Sequence, residues 1–194
     1  MNFLAHLLLS EPAPGFIVGS LAADFHDEKW RTEDPDVLAG MARHRTIDRF
    51  ADEHPLHCRS REHIRRSYRH TRGVLVDIFY DHLLAVNWDR FSAEPLDAFV
   101  ARMHGVLEAN LHLAPPIMQV VLPRMIEGNW LLSYRSSEGV RETLARLNGR
   151  VRGRIDFLPA MEDLLSQRAQ FEREFLAFFP QLQASVRASA STEE

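Results

Sequence analysis

The chain has one cysteine, Cys58, and one lysine, Lys29, among its 194 residues. A single thiol excludes an internal disulfide, and with it the small stapled folds of secreted proteins, and it suits a reducing compartment. No apolar run reaches the ~18–20 residues that a membrane span requires. The opening stretch MNFLAHLLLSEPAPGFIVGSLAAD resembles a secretion signal in its apolar content and its small-residue SLAA segment. It has no basic residue before Lys29, however, and His6 and Glu11 interrupt it, so it reads as mature, cytoplasmic protein. Strand-like alternation with hairpin turns is missing, which leaves an all-helical fold. There is also no phosphate-binding glycine run and no nucleophilic serine or cysteine motif. The net charge of −4 argues against general nucleic-acid binding.

What is present is an ordinary globular composition, 45% hydrophobic and 26% charged, of a length that suits one domain with a sizeable core. Helical spacing of apolar residues dominates. The pattern predicts helices in MNFLAHLLLS, in GFIVGSLAADF, from the Asp34-Pro35 cap signal to Pro55, and over about 56–70, 74–90, 95–112, 116–134, 137–147 and 158–179. Trp30, Trp88 and Trp130 read as core aromatics. After Pro180 the sequence turns to QASVRASASTEE, so the expected organisation is one all-α helical bundle over 1–180 and a flexible tail over 181–194.

The segment VLVDIFYDHLLAVNWDRF, residues 74–91, reads as a buried helix interrupted by Asp77, Asp81 and His82. Asp77 and Asp81 share a helix face, where like charges repel, and burial of an unpaired carboxylate costs far more. Something positive must neutralise them: an arginine, a protonated histidine or a metal ion. His44 and Asp48 in HRTID form a second pair four residues apart, and His6 and Asp24 also lie among apolar neighbours. Imidazole and carboxylate facing another carboxylate-bearing helix is how a bundle builds a metal site, and a thiolate-free donor set favours Mn, Fe, Mg or Zn, with the carboxylates weighting it toward Mn²⁺ or Mg²⁺. Each residue alone has a structural alternative: a satisfied core histidine, a turn cap at Asp24, or a pairing of Asp48 with Arg45 or Arg49. His26, His54, His57, His63, His70, His104 and His112 stand in polar contexts and read as surface residues.

The segments MNFLAHLLLS, GSLAADF, HRTIDRFADEHP, LVDIFYDHLLAVNW and NWLLSYRSSEGVRETLARLNGRV resemble, in order, those of the acyl carrier protein phosphodiesterases. The resemblance implies an all-helical fold related to the HD-domain metal-dependent phosphohydrolases, with Mn²⁺ as the usual cofactor. It also implies cleavage of the phosphodiester joining 4′-phosphopantetheine to the serine of holo acyl carrier protein. It places His6, Asp24, His44, Asp48, Asp77, Asp81 and His82 on the family's motifs. In that reading His44, Asp48 and Asp77 hold the metal, with Asp24, Asp81 and His6 as further ligands or orienting groups. Asp24, His6 and His82 are the candidates for catalytic roles, His82 as proton donor to the leaving serine oxygen.

One segment is charged far beyond the rest: CRSREHIRRSYRHTRG carries six arginines against Glu62 alone. Arg61, Arg65, Arg69 and Arg72 recur at intervals of four, four and three, which predicts a stripe along one helix for docking an acidic carrier protein, unless it is simply a solvated face. Two rival functions stand beside the carrier-protein reading. One is an HD-type phosphohydrolase acting on a nucleotide or other small phosphate ester. The other is a carrier-binding module with no catalysis.

Overall fold

The computed structural model describes residues 1–25, 29–151 and 154–190; His26 lies outside the described residues. Every regular element among them is helical: α1 Phe3–Leu8, α2 Pro14–Ala22, α3 Pro35–Glu53, α4 Pro55–Glu62, α5 Arg72–Val86, α6 Leu96–Ala109, α7 Pro116–Glu127, α8 Trp130–Ser133, α9 Ser137–Arg150, α10 Ala160–Ser166 and α11 Arg168–Ala190. No helix among the described residues is long and apolar enough to cross a membrane.

α5 runs through the core: Leu75, Val76, Ile78, Phe79, Tyr80, Leu83 and Leu84 are all buried. α11 packs on it with Phe171, Phe175, Phe178 and Phe179, and aromatic edges meet ring faces, as between Phe79 and Phe171 at 5.5 Å. The chain does not fray at Pro180. α11 continues through it to Ala190, with Leu182 and Val186 buried, so the expected tail is helical as far as it is described. An interior proline costs about 3 kcal/mol. Burying a leucine and a valine returns about 1.5–3 kcal/mol each, enough to carry the helix past it.

Three other expected helices are divided. Residues 56–70 give α4 and then a 3₁₀ turn over Arg66–Thr71 in which Arg69 has φ 36°. Residues 116–134 break at Asn129, in the left-handed region at φ 47°, and residues 158–179 break at Gln167 between α10 and α11. The arginine stripe therefore does not exist as one helix face. Arg61 is on α4, where it pairs with Asp52. Arg65 precedes the 3₁₀ turn and pairs with Asp163 and Glu162. Arg69 is exposed within the turn, and Arg72 begins α5, its Nε donating to the Arg65 carbonyl.

The closest helix pair is α2 on α3, and glycine makes it possible. A Cβ on Gly19 would lie 2.2 Å from the Val37 carbonyl oxygen, and one on Gly40 would lie 2.2 Å from that of Phe16. α3 is started by Asp34, whose side chain accepts from the backbone N–H groups of Asp36 and Val37, with Pro35 as its first residue. One turn beyond Gly40 comes His44, which the close approach brings against α2.

Gly40→Ala is expected to destabilise the protein despite alanine's advantage of about 1 kcal/mol in helix propensity, because the added methyl group meets backbone that cannot give way. Overpacking of this kind costs about 1–3 kcal/mol or more. Thermal unfolding followed by circular dichroism should show a lowered Tm; an unchanged or raised Tm would contradict the close-approach account.

Candidate metal centre

α1, α3 and α5 converge on one polar cluster inside this apolar bundle. His6, His44 and Asp48 each offer a ligand atom within 4.8 Å of the others. The two imidazoles stack nearly parallel, centroids 3.8 Å apart, and both Nε2 atoms approach Asp48: His6 at 3.2 Å to Oδ1 and His44 at 3.0 Å to Oδ2. His44 Nδ1–H donates to the Ser20 carbonyl at 2.7 Å, a contact set by the glycine-mediated approach of α2 and α3. A histidine anchored through Nδ1 in this way presents Nε2 as a directed ligand.

The partly buried carboxylates of Asp48 and Asp77 are neutralised by a cation. The α-ammonium group of Met1 sits 3.0 Å from Asp48 Oδ1 and 3.2 Å from Asp77 Oδ1, bridging α3 and α5. Burial would lower its pKa, but Asp77 and Asp48 outweigh burial and hold it at about 11. Asp77 receives a second hydrogen bond from His57 Nε2 at 2.9 Å. Burial raises Asp77, yet the ammonium group and His57 together bring it below the ordinary carboxylate value. Burial likewise opposes ionisation of Asp48, and the hydrogen bonds from His44 and His6 reverse this. Burial lowers His6, while at His44 the effect of burial is overridden by Asp24 and Asp48, which raise it to about 9.

Asp24 lies at the rim, 3.6 Å from His44 Nε2, its side chain 38% exposed like that of Asp48, so the cluster is open to solvent on this side. Two clefts of about 360 and 200 Å³ flank Ser10 and Glu11, and no cluster residue lines either.

Asp81 and His82 are placed elsewhere. Asp81 is wholly buried and accepts from the backbone N–H groups of Leu4 (2.7 Å) and Ala5 (3.2 Å), capping the amino end of α1 from another helix. Burial still pushes its carboxyl up to about 7. His82 donates through Nδ1 to the Tyr134 carbonyl at 2.7 Å and is a satisfied core histidine. The neighbours on one helix thus diverge: Asp77 faces the cluster, Asp81 holds α1, and His82 faces α8.

The sequence reading missed His57, which is fully buried rather than at the surface. Its signal was the spacing of His57, Ser60 and Ile64, the buried stripe of α4 and the turn after it, among charged neighbours. It also missed Glu174, buried on α11, which accepts from Ser60 and lies 3.1 Å from His63 Nε2. His54 is half-buried, His104 has a buried Nε2, and His70 and His112 are exposed. Trp88 is buried, and Trp30 and Trp130 pack against the core.

The donor set suits a divalent ion: nitrogen and carboxylate oxygen from three helices, a His44 Nε2 held in place by the Nδ1 anchor and available as a ligand once an ion displaces its proton, and a positive charge already held between Asp48 and Asp77. His6 Nδ1 is in addition buried with no hydrogen-bond partner.

A family model described as acyl carrier protein phosphodiesterase matches residues 1–182. The acyl carrier protein phosphodiesterase of Photorhabdus laumondii subsp. laumondii is 32% identical over 183 residues, covering 93% of this chain and 92% of its own. That of Salmonella dublin is 33% identical over 193 residues, covering 98% of this chain and all of its own, 100%. No solved structure matches the chain.

The raised pKa of His44 makes stability depend on pH. Folded, it keeps its proton to about 9, whereas the unfolded value is 6.5. The stabilisation is complete below 6.5 and lost as pH rises toward 9, with a slope of at most about 1.4 kcal/mol per pH unit. In chelator, urea unfolding of the wild type should weaken across this window, and His44→Gln should remove the slope between pH 6.5 and 8. A wild type that gains stability there would refute the assignment.

Proposed function

The chain belongs to the acyl carrier protein phosphodiesterase family, and from that premise we propose that it hydrolyses the phosphodiester between 4′-phosphopantetheine and the serine of holo acyl carrier protein. The products are apo acyl carrier protein and 4′-phosphopantetheine. The observation that carries this reading is the His6, His44, Asp48 cluster joined to Asp77 and open at Asp24. Kinship with the HD-type phosphohydrolases and a cytoplasmic location are part of the same proposal, and an all-helical fold with a mixed histidine and aspartate cluster is compatible with the first.

His44, Asp48 and Asp77 would hold the ion, with His6 and Asp24 beside them; Mn²⁺ is the first candidate, then Mg²⁺ or Fe²⁺. When bound, such an ion neutralises phosphoryl oxygens and lowers the pKa of coordinated water. The protein's own part is to aim the ligands. The Ser20 carbonyl fixes the His44 tautomer, and His57 fixes the Asp77 carboxylate. Asp24, exposed at the rim, would exchange a proton with the incoming water or the departing serine oxygen, the role that the sequence suggests for His82, whose Nδ1 is taken up by the Tyr134 carbonyl. A prosthetic arm carried by a protein would reach the cluster at its exposed edge, Asp24 and Asp48.

Holo acyl carrier protein incubated with the full chain and Mn²⁺ should lose the mass of 4′-phosphopantetheine in intact mass spectrometry, with excess chelator stopping the loss. His44→Ala and Asp48→Ala should each reduce the rate by at least about 100-fold, the scale on which loss of a group supporting the reacting centre acts. An unmodified carrier protein alongside hydrolysis of a small phosphate ester would favour the rival phosphohydrolase. Full activity of both variants would remove the cluster from the mechanism.

A further inference from the structure

Two layers of side chains are stacked on the same three helices. The first comprises Asp48 on α3, His57 on α4 and Asp77 on α5. One helical turn along each helix, at the fourth residue in each case, stand Asp52, Arg61 and Gly73, and these also meet. Arg61 Nη2 donates to Asp52 Oδ1, and a Cβ on Gly73 would lie 3.5 Å from the Arg61 guanidinium. One turn of helix is about 5.4 Å, so Arg61 stands one turn along α4 from His57, the partner of Asp77.

This second layer is on the solvent side. The Asp52 side chain is 65% exposed against 38% for Asp48, and Arg61 is 28% exposed against 0% for His57. Arg61 is only partly satisfied. Asp52 takes one nitrogen of its fork, while Nε is buried and makes no hydrogen bond. A buried N–H without an acceptor is a cost that a folded protein rarely carries. Glycine at position 73 leaves the face of the guanidinium uncovered, where any larger residue would lie in contact with it.

We propose that Arg61 is the phosphoryl clamp of this site, binding the non-bridging oxygens of the substrate's phosphodiester through its terminal nitrogens when the exposed Asp52 gives way to the incoming anion. This deepens the proposed function and rests on it for the identity of the phosphoester. The planar fork of arginine matches two phosphoryl oxygens at once, which a lysine ammonium does not, and its charge persists at every working pH. Asp52 holds the fork in place until an anion arrives. Of the four arginines that the spacing lined up, Arg61 is the one that stands one turn from His57, while Arg65 is taken up by Asp163 and Glu162 and Arg72 donates to the Arg65 carbonyl.

The test is calorimetric titration of inorganic phosphate into the full chain loaded with Mn²⁺, for the wild type, Arg61→Ala, Arg61→Lys and Asp52→Asn. Mn²⁺ affinity and helical circular dichroism are measured on each. Arg61→Ala should weaken phosphate binding about 10- to 100-fold, as expected for loss of a charge-assisted bidentate contact. Arg61→Lys should fall between alanine and the wild type. Asp52→Asn, which frees the fork, should bind phosphate at least as tightly as the wild type. Mn²⁺ affinity should stay within about twofold throughout, since no cluster ligand has changed.

Equal phosphate affinity in the wild type and both Arg61 variants would overturn the proposal. So would a wild type that binds no phosphate, or Mn²⁺ affinity that falls in parallel with phosphate affinity. Should alanine at this position not fold, the lysine variant, which keeps the charge and most of the stem, decides the matter. The two readings fail separately. Arg61-dependent phosphate binding without release of 4′-phosphopantetheine would remove the carrier-protein substrate and keep the clamp; release with Arg61-independent phosphate binding would do the reverse.

Discussion

Asp48 and Asp77 face each other across α3 and α5 inside an apolar bundle, and the rest of the site follows from the need to compensate their charge. A lone buried carboxylate takes up a proton sooner than remain ionised. Here both are held ionised, because the Met1 ammonium group lies between them, His6 and His44 approach Asp48, and His57 approaches Asp77. A concentration of ligands around two anions, with one edge open to water, is what a divalent ion would exploit, and the proposed hydrolysis depends on it.

Two structural devices keep that arrangement in register. The first is Asp81, which accepts from the exposed N–H groups at the start of α1 and so fixes the helix that carries His6 and Met1. The second is the backbone approach of α2 and α3 at Gly19 and Gly40, which delivers the Ser20 carbonyl to His44. Three carboxylates and three histidines are thereby divided into groups that offer electron pairs outward and groups that steady them. Because Asp81 and Asp77 are adjacent turns of α5, support and site share one helix, and a shift of α5 would move both.

Much of this was legible in the sequence because it depends on local spacing. Asp34-Pro35 announced the start of α3, the four-residue interval put His44 and Asp48 on one face, and carboxylates amid Val, Ile, Phe and Leu announced that α5 carried more than packing. What was hidden depended on partners distant in the chain. Asp77 and Asp81 look alike in sequence and diverge only because α1 brings N–H groups to one and an ammonium group to the other. His57 read as a surface residue because Pro55 starts a fresh helix whose buried side cannot be inferred from so charged a stretch. The arginine stripe dissolved because α4 stops at Glu62, and Arg65 then turns to Asp163 and Glu162, 98 and 97 residues away.

The central claim is that the cluster of α1, α3 and α5 is a divalent-ion site, and crystals grown with Mn²⁺ would test it most directly through anomalous scattering at the manganese edge. The account predicts an anomalous peak bounded by His44 Nε2 and the carboxylates of Asp48 and Asp77, with Asp81 still capping α1 and His82 still on the Tyr134 carbonyl. Manganese bound elsewhere, or a cluster unchanged and free of anomalous density at saturating Mn²⁺, would contradict it.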